Sequence, residues 1–318
     1  MNDLHLIVSA RTQEADGVCS FELEAPLGGE LPAFTAGAHI DVHVQPGIVR
    51  QYSLCGDPAE RRRWRIAVLR EPRSRGGSSG MHEQVQPGAT LRVSEPRNHF
   101  ALVTSPHSLL VAGGIGVTPI LAMAKTLRRE GRAFELHYGA RSAARSAFRS
   151  EIASEFGART HFHFDDGEPA QKFDAEAVLS GAQGETHLYV CGPAGFMDHV
   201  LGTARCLGWA EDVLHREYFA APVAPTPAAD GAFDVRLARS GISLNIPANK
   251  SVLEVLLGAG VDVPHSCESG VCGTCATRVL EGTPDHRDAY FTGAERAKGD
   301  QFTPCCSRST TPVLVLDL

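Results

Sequence analysis

Cys267-Glu268-Ser269-Gly270-Val271-Cys272-Gly273-Thr274-Cys275 decides how this chain is read. The spacing is C-x4-C-x2-C, with the adjacent pair Cys305-Cys306 thirty residues further on. That is the plant-type [2Fe–2S] pattern. Three thiolates on one loop must wrap an anionic cluster, and Gly270 and Gly273 let backbone N–H groups approach its sulfurs. A structural zinc site usually pairs two C-x2-C units, and only one is present here. The chain has nine cysteines. Cys19, Cys55, Cys191 and Cys206 are scattered, whereas the other five crowd residues 267–318. An odd count with no visible secretory signal argues against a disulfide scaffold. Spacing alone does not choose between Cys305 and Cys306 as the fourth ligand.

Working outward from that loop, three modules emerge. At 318 residues the chain is long enough for two or three domains. Its 43% hydrophobic and 21% charged residues exclude wholesale disorder. A net charge of −7 argues against nucleic acid as the main partner. The uncharged apolar stretch from about Leu109 to Ala124 is too short and too rich in glycine to span a membrane. A cytoplasmic, monomeric protein is expected. Short alternating strands at Leu4–Ala10, Val18–Leu23, His39–Val44, Arg50–Leu54, Arg65–Leu69 and Thr90–Ser94, punctuated by Gly and Pro, predict an antiparallel β-barrel over 1–103. Strands then alternate with helices over 104–220, which predicts a parallel-sheet α/β domain. An Ala/Pro-rich linker, 221–231, leads to the cysteine module at 232–318.

Three further segments carry chemistry. Arg50-Gln51-Tyr52-Ser53-Leu54 ends a barrel strand and gathers an arginine for phosphate charge, an aromatic ring and a hydroxyl, although an Arg/Tyr-bearing strand is usually only a strand. Arg75-Gly76-Gly77-Ser78-Ser79 reads as an anion nest for a phosphate, or as a flexible polar loop. Ala112-Gly113-Gly114-Ile115-Gly116-Val117-Thr118-Pro119 follows a strand and opens a helix, whose free N–H groups suit a pyrophosphate. Arg61-Arg62-Arg63-Trp64-Arg65 is the densest basic cluster. It reads as a solvated hairpin, with docking of an acidic partner as the sharper alternative.

These motifs, in this order, resemble the phthalate dioxygenase reductase family, which includes vanillate demethylase reductases. The resemblance covers nearly the whole chain. It rests on R-x-Y-S at Arg50–Ser53, on G-G-I-G-x-T-P-I from Gly113, and on Cys191-Gly192-Pro193, which resembles the C-G-P at the family's nicotinamide end. It rests also on Glu217-Tyr218-Phe219, similar to the family's E-x-F. Leu280-Glu281-Gly282, Asp285-His286-Arg287-Asp288 and Cys305-Cys306-Ser307-Arg308 match the family's cluster domain. The resemblance implies a ferredoxin-reductase-like flavin barrel, an NAD domain and a β-grasp ferredoxin domain. It makes Cys305 the ligand beside Cys267, Cys272 and Cys275, and leaves His286 structural. Ser53, Cys191 and Phe219 are then expected at the hydride-transfer centre, with Phe219 on the nicotinamide face of the flavin. FMN is expected rather than FAD. NADH is favoured over NADPH, because Asp166 after one strand would hold the ribose hydroxyls, although Arg141 after its neighbour could meet a 2′-phosphate. The implied activity passes hydride from NADH to FMN, then single electrons through [2Fe–2S] to a separate Rieske-type terminal oxygenase. The alternative is an FAD-containing NAD(P)H reductase serving another acceptor. A zinc-stapled binding protein without catalysis is the rival from another class. No Ser/His/Asp triad stands out.

Overall fold

The computed structural model describes residues 3–72, 74, 76–182, 185–219 and 231–318. Arg75 and most of the expected linker lie outside the described residues. The backbone divides into two compact units, Met1–Glu217 and Tyr218–Leu318.

The first unit begins with strands β1 (Leu4–Ala15), β2 (Val18–Glu24), β3 (Ala38–Gln45), β4 (Ile48–Ser53) and β5 (Arg63–Leu69). Helix α1 (Gly77–Gln84), β6 (Thr90–Val93) and β7 (Arg97–Asn98) follow. The sheet runs β4-β3-β6-β1-β2-β5, with β7 on β3, and every pairing is antiparallel. An isolated bridge between Leu54 and Ile66 joins its two end strands, closing a barrel around Phe21, Ile40, Trp64 and Met81. β1 runs five residues past its expected end because register shifts at Val8/Ala10 and Gln13/Ala15 interrupt its alternation. Helix α1 takes in Gly77–Ser79, part of the stretch that reads as an anion nest or a flexible polar loop. Its Gly-Ser-Ser-Gly start has poor helix propensity, and packing overrides it: Met81 is fully buried and Gly80 lies against Val44.

The same unit continues with β8 (His107–Gly113), α2 (Val117–Arg129), β9 (Ala133–Ala140), α3 (Arg149–Phe156) and β10 (Thr160–Phe164). Then come α4 (Ala175–Gly181), β11 (Thr186–Cys191), α5 (Ala194–Cys206) and β12 (Leu214–Glu217). The five strands form a parallel sheet ordered β10-β9-β8-β11-β12. Right-handed crossovers put α2 and α3 on one face, and the reversal of strand order at β11 puts α4 and α5 on the other. β8 is central and buried from Ser108 to Gly113, which is why it reads as an unbroken apolar run. The reversal leaves a crevice at the carboxyl ends of β8 and β11. Val18, Ala36, Cys55, Ala67 and Phe100 of the barrel segment share one core with α2, β9 and α3. Arg65 of β5 donates to both carboxylate oxygens of Glu151 on α3, at 2.9 and 2.7 Å, and Lys125 of α2 joins at 2.5 Å. Burial works to raise the Glu151 carboxyl, but these two cations outweigh it and hold it below its ordinary value.

The second unit holds β13 (Phe233–Leu237), β14 (Ser243–Ile246), α6 (Val252–Gly258), β15 (Thr277–Glu281) and β16 (Pro284–Asp285). Helix α7 (Gly293–Lys298), β17 (Gln301–Phe302), β18 (Arg308–Ser309) and β19 (Val313–Leu316) complete it. Its main sheet is mixed, β14-β13-β19-β15-β17, with β13 and β19 parallel. Phe233, Val235 and Leu237 point inward while Asp234 and Arg236 face solvent. Reciprocal capping boxes, Ser251 with Glu254 and Thr292 with Glu295, start α6 and α7. Among the described residues no helix is long and apolar enough to cross a membrane.

Candidate functional site

Parallel pairing fixes the nucleotide crevice. β8 ends at Gly113, and a single 3-10 turn, Gly114–Gly116, with Gly114 at φ 55°, leads into α2. A Cβ on Gly116 would lie 2.2 Å from the Cys191 carbonyl oxygen, and one on Gly192 would lie 2.9 Å from Gly113 Cα. The two turns therefore touch backbone to backbone, and no side chain fits between them. Phe196 of α5 closes on Gly113, where a Cβ would come within 2.8 Å of its ring. Thr118 is buried and donates to the Ile115 carbonyl at 3.0 Å, tightening the turn. Pro119 sits in the first turn of α2, where a missing N–H costs nothing. The helix opening offers free N–H groups to a pyrophosphate. Arg141 follows β9, and Asp165-Asp166 follow β10. The two segments run side by side, with Asp166 N–H donating to the Arg141 carbonyl at 3.3 Å, and both side chains are exposed.

A second group meets beside this crevice. Strand register places Cys191 opposite Glu217, and His39 opposite Ser53. Ser53 Oγ donates to Glu217 Oε2 at 3.3 Å, and His39 Nδ1 lies 4.0 Å from Glu217 Oε1. Burial pushes the Glu217 carboxyl up to about 8, against the opposing pull of the Ser53 hydroxyl. Burial, and then the neighbouring Glu217, also raise the fully buried Cys191 thiol. Ser53 and Cys191 thus both neighbour Glu217. Its only sequence signal is the E-x-F segment. His39 has no signal, because only the β3–β4 register brings it there. Phe219 lies in the second unit and is 41% exposed.

Burial raises the Tyr52 phenol, and its hydroxyl is buried without a hydrogen-bond partner. Such an orphan inside a barrel fits a bound polar ring that supplies the partner. Arg50 on the same strand packs under the start of α1, where a Cβ on Gly77 would lie 2.6 Å from its Cγ. Gly76 caps α1 in the left-handed region at φ 88°. Ser78 Oγ accepts from Glu71 N–H at 3.0 Å, and Ser79 donates to Ser74 Oγ from both its N–H and its hydroxyl, each at 3.2 Å. The two serine side chains therefore brace the turn. Leu54 is buried and bridges to Ile66. In the basic cluster, Arg61, Arg63 and Arg65 are paired with Glu30, Glu22 and Glu151 respectively.

The cysteine loop forms the third site. Glu268, Gly270 and Gly273 have φ of 52°, 73° and 67°, so the chain curls around its own sulfurs. A Cβ on Gly273 would strike the Tyr290 ring at 2.2 Å, and one on Gly270 would strike Cys306 Sγ at 2.4 Å. Ser269 N–H points to Cys267 Sγ and Thr274 N–H to Cys272 Sγ, each at 3.4 Å. Cys267 contacts the thiols of Cys272 and Cys305, and Cys275 contacts that of Cys305. Cys272 and Cys305, together with the N–H groups of Ser269 and Val271, pull the Cys267 thiol down. Cys306 contacts the Cys305 thiol and also meets the Thr303 hydroxyl at 3.3 Å. Two thiol pairs, inward-turned N–H groups and glycines where no Cβ fits suit a small anionic iron–sulfur cluster. The surrounding motif residues build the wall. Buried Asp288 accepts from Tyr290 and Phe291 N–H at 3.1 and 2.8 Å and from Ser307 Oγ at 3.3 Å, and His286 Nδ1 lies 3.3 Å from it. Arg308 donates to the carbonyls of Lys250, Gly231 and Pro247.

Comparison with known proteins agrees with this anatomy. A family model described as the 2Fe-2S iron-sulfur cluster binding domain matches residues 235–310, and the oxidoreductase NAD-binding domain matches 110–201. The chain is 51% identical over 318 residues to a vanillate O-demethylase oxidoreductase of Pseudomonas sp. strain HR199, covering 99% of this chain and 100% of that one. It is 44% identical to the phthalate dioxygenase reductase of Burkholderia cepacia, over 99% of this chain and 97% of that one. A solved structure of phthalate dioxygenase reductase, described as modular for electron transfer from pyridine nucleotides to [2Fe-2S], superposes with a TM-score of 0.77. It is 42% identical and covers 100% of this chain and 98% of that one. With a barrel, a nucleotide-binding sheet and a cluster domain in one chain, matched end to end at this identity, the protein belongs to the phthalate dioxygenase reductase family.

Proposed function

We propose that this oxidoreductase is the NADH-dependent reductase component of a Rieske-type oxygenase that hydroxylates or demethylates aromatic acids. A separate terminal oxygenase is its electron acceptor, and the reductase works as a cytoplasmic monomer. The observation that carries the reading is the presence, in one chain, of a nucleotide crevice, an orphaned barrel tyrosine and four gathered thiols. Relatives named for vanillate O-demethylation and phthalate dioxygenation support the substrate class. The proposed division is flavin barrel 1–103, NAD domain 104–220, linker 221–231 and cluster domain 232–318.

Bound FMN exchanges hydride with a nicotinamide and releases electrons one at a time, which is the form a [2Fe–2S] cluster carries. The residues do the positioning. Arg50, Arg75 and the turn Gly76–Ser79 would neutralise and cradle the flavin phosphate. Tyr52, Ser53 and Leu54 would hold the ring. Gly113, Gly114 and Gly116 with Thr118 and Pro119 would admit the pyrophosphate, and Cys191, Gly192 and Pro193 would bound the nicotinamide. Glu217, kept largely protonated at neutral pH, would hold a proton beside Ser53 without setting a second negative charge near the reacting ring. Asp166 would accept from the ribose hydroxyls, with Arg141 beside it, and Phe219 would cover the nicotinamide face of the flavin. Cys267, Cys272, Cys275 and Cys305 would ligate the irons.

Cys272→Ser tests the order of events. NADH should still bleach the flavin at close to the wild-type rate, while cytochrome c reduction falls to background. Loss of both activities in a variant that retains flavin would refute the relay. The mass of the released flavin separates FMN from FAD.

A further inference from the structure

The β9–β10 strand pair carries a side-chain group that electron transfer does not use. Glu135 and His137 lie two residues apart on one face of β9. His161 lies directly opposite His137 in the parallel register. His137 Nε2 is 3.1 Å from Glu135 Oε1, and His161 Nε2 is 2.9 Å from that same oxygen. All three atoms lie within 4.8 Å of one another. The two rings stack, with centroids 4.7 Å apart. Behind them, His163 Nε2 lies 3.0 Å from His137 Nδ1, and Phe173 packs edge-on against both rings.

We propose that Glu135, His137 and His161 form a binding site for a borderline-soft divalent metal ion, with Zn2+ as the type, open to solvent on one side. Three observations support it. Ligands about 2.0–2.1 Å from a tetrahedral zinc stand a little over 3 Å apart, close to the 3.1 and 2.9 Å at which the two imidazoles approach the carboxylate. His137 is buried with its Nδ1 against His163, the arrangement in which an outer partner fixes the tautomer of a ligating imidazole. Finally, the ion-pair partners of Glu135 among the described residues are these two histidines, with no Lys or Arg. A divalent ion supplies the charge that the carboxylate otherwise faces alone. Two imidazoles and one carboxylate favour zinc and its transition-metal neighbours over magnesium or calcium. Occupancy would tie the edge strand β10 to β9 and stabilise the native state by mass action.

The test uses purified holoprotein with flavin and iron content measured. Wild type, His161→Ala and Glu135→Gln are dialysed against Zn2+, and bound zinc is counted with thermal melting in parallel. Wild type should take up one zinc more than either variant, and zinc should raise the Tm of wild type only. Each variant should bind at least about tenfold more weakly at this site. Equal zinc uptake by all three proteins, or no uptake by wild type, would overturn the proposal. Should His161→Ala lose flavin or iron, the near-isosteric Glu135→Gln decides the matter.

Discussion

Gly116→Ala isolates the contact on which the nucleotide crevice depends. Gly116 has φ −60° and ψ −8°, a conformation alanine adopts freely, so any cost is steric. The added Cβ would stand 2.2 Å from the Cys191 carbonyl oxygen, 2.4 Å from its carbon and 2.6 Å from Gly192 N. All three are backbone atoms of the facing turn, which cannot rotate aside as a side chain would. Relief requires the β11–α5 turn to withdraw by about 1 Å, an overpacking of about 2–3 kcal/mol. For a unit of this size that lowers Tm by about 5–10 °C. A displacement of this order at a positioning surface costs about 100-fold in rate or affinity. Stopped-flow bleaching of the flavin by NADH should therefore slow, or demand far more NADH, by about that factor, while flavin and iron content stay at wild-type levels. Gly202→Ala is the control. Gly202 lies inside α5 with no atom within 4 Å of an added Cβ, so alanine should stabilise by about 0.5–1 kcal/mol and leave hydride transfer unchanged. If the two variants behave alike, the close approach of the two turns is not what shapes the crevice.

Gly273→Ala meets both a left-handed φ and the Tyr290 ring, so iron and sulfide content should fall sharply while bound flavin is retained. Glu151→Gln removes the charge that pairs with Arg65 and Lys125 and should cost about 1–3 kcal/mol, read as a lower Tm with unchanged cluster content. Glu217 has a folded-state value raised to about 8 by burial. Its contribution to stability is therefore fully present below the ordinary carboxyl range and is lost as pH rises through about 8. Wild type should lose Tm between pH 5 and 9 relative to Glu217→Gln, and parallel melting profiles would contradict the assignment.

Much of the site was legible before the fold. The four cysteines proposed as cluster ligands lie on one short loop and one later turn, so their spacing survives as a linear pattern. The glycine turn after β8 is equally local, because a strand, a tight turn and a helix opening follow each other in the chain. What tertiary structure alone decided is long-range. Ser53 and Glu217 are 164 residues apart, and their contact needs a barrel strand and a sheet strand to end side by side. His39 reaches them through the β3–β4 register, which no local spacing encodes. Helix α1 forms from a glycine-serine stretch because Met81 finds a buried place, a gain invisible to propensity. The contacts of Cys305 with Cys267 and Cys275, and of Cys306 with Thr303, separate two neighbouring thiols that spacing treats alike. The physical reason is common to all four cases. Local geometry is set by a few dihedrals and residue types, whereas these pairings are set by which surfaces the whole chain buries together.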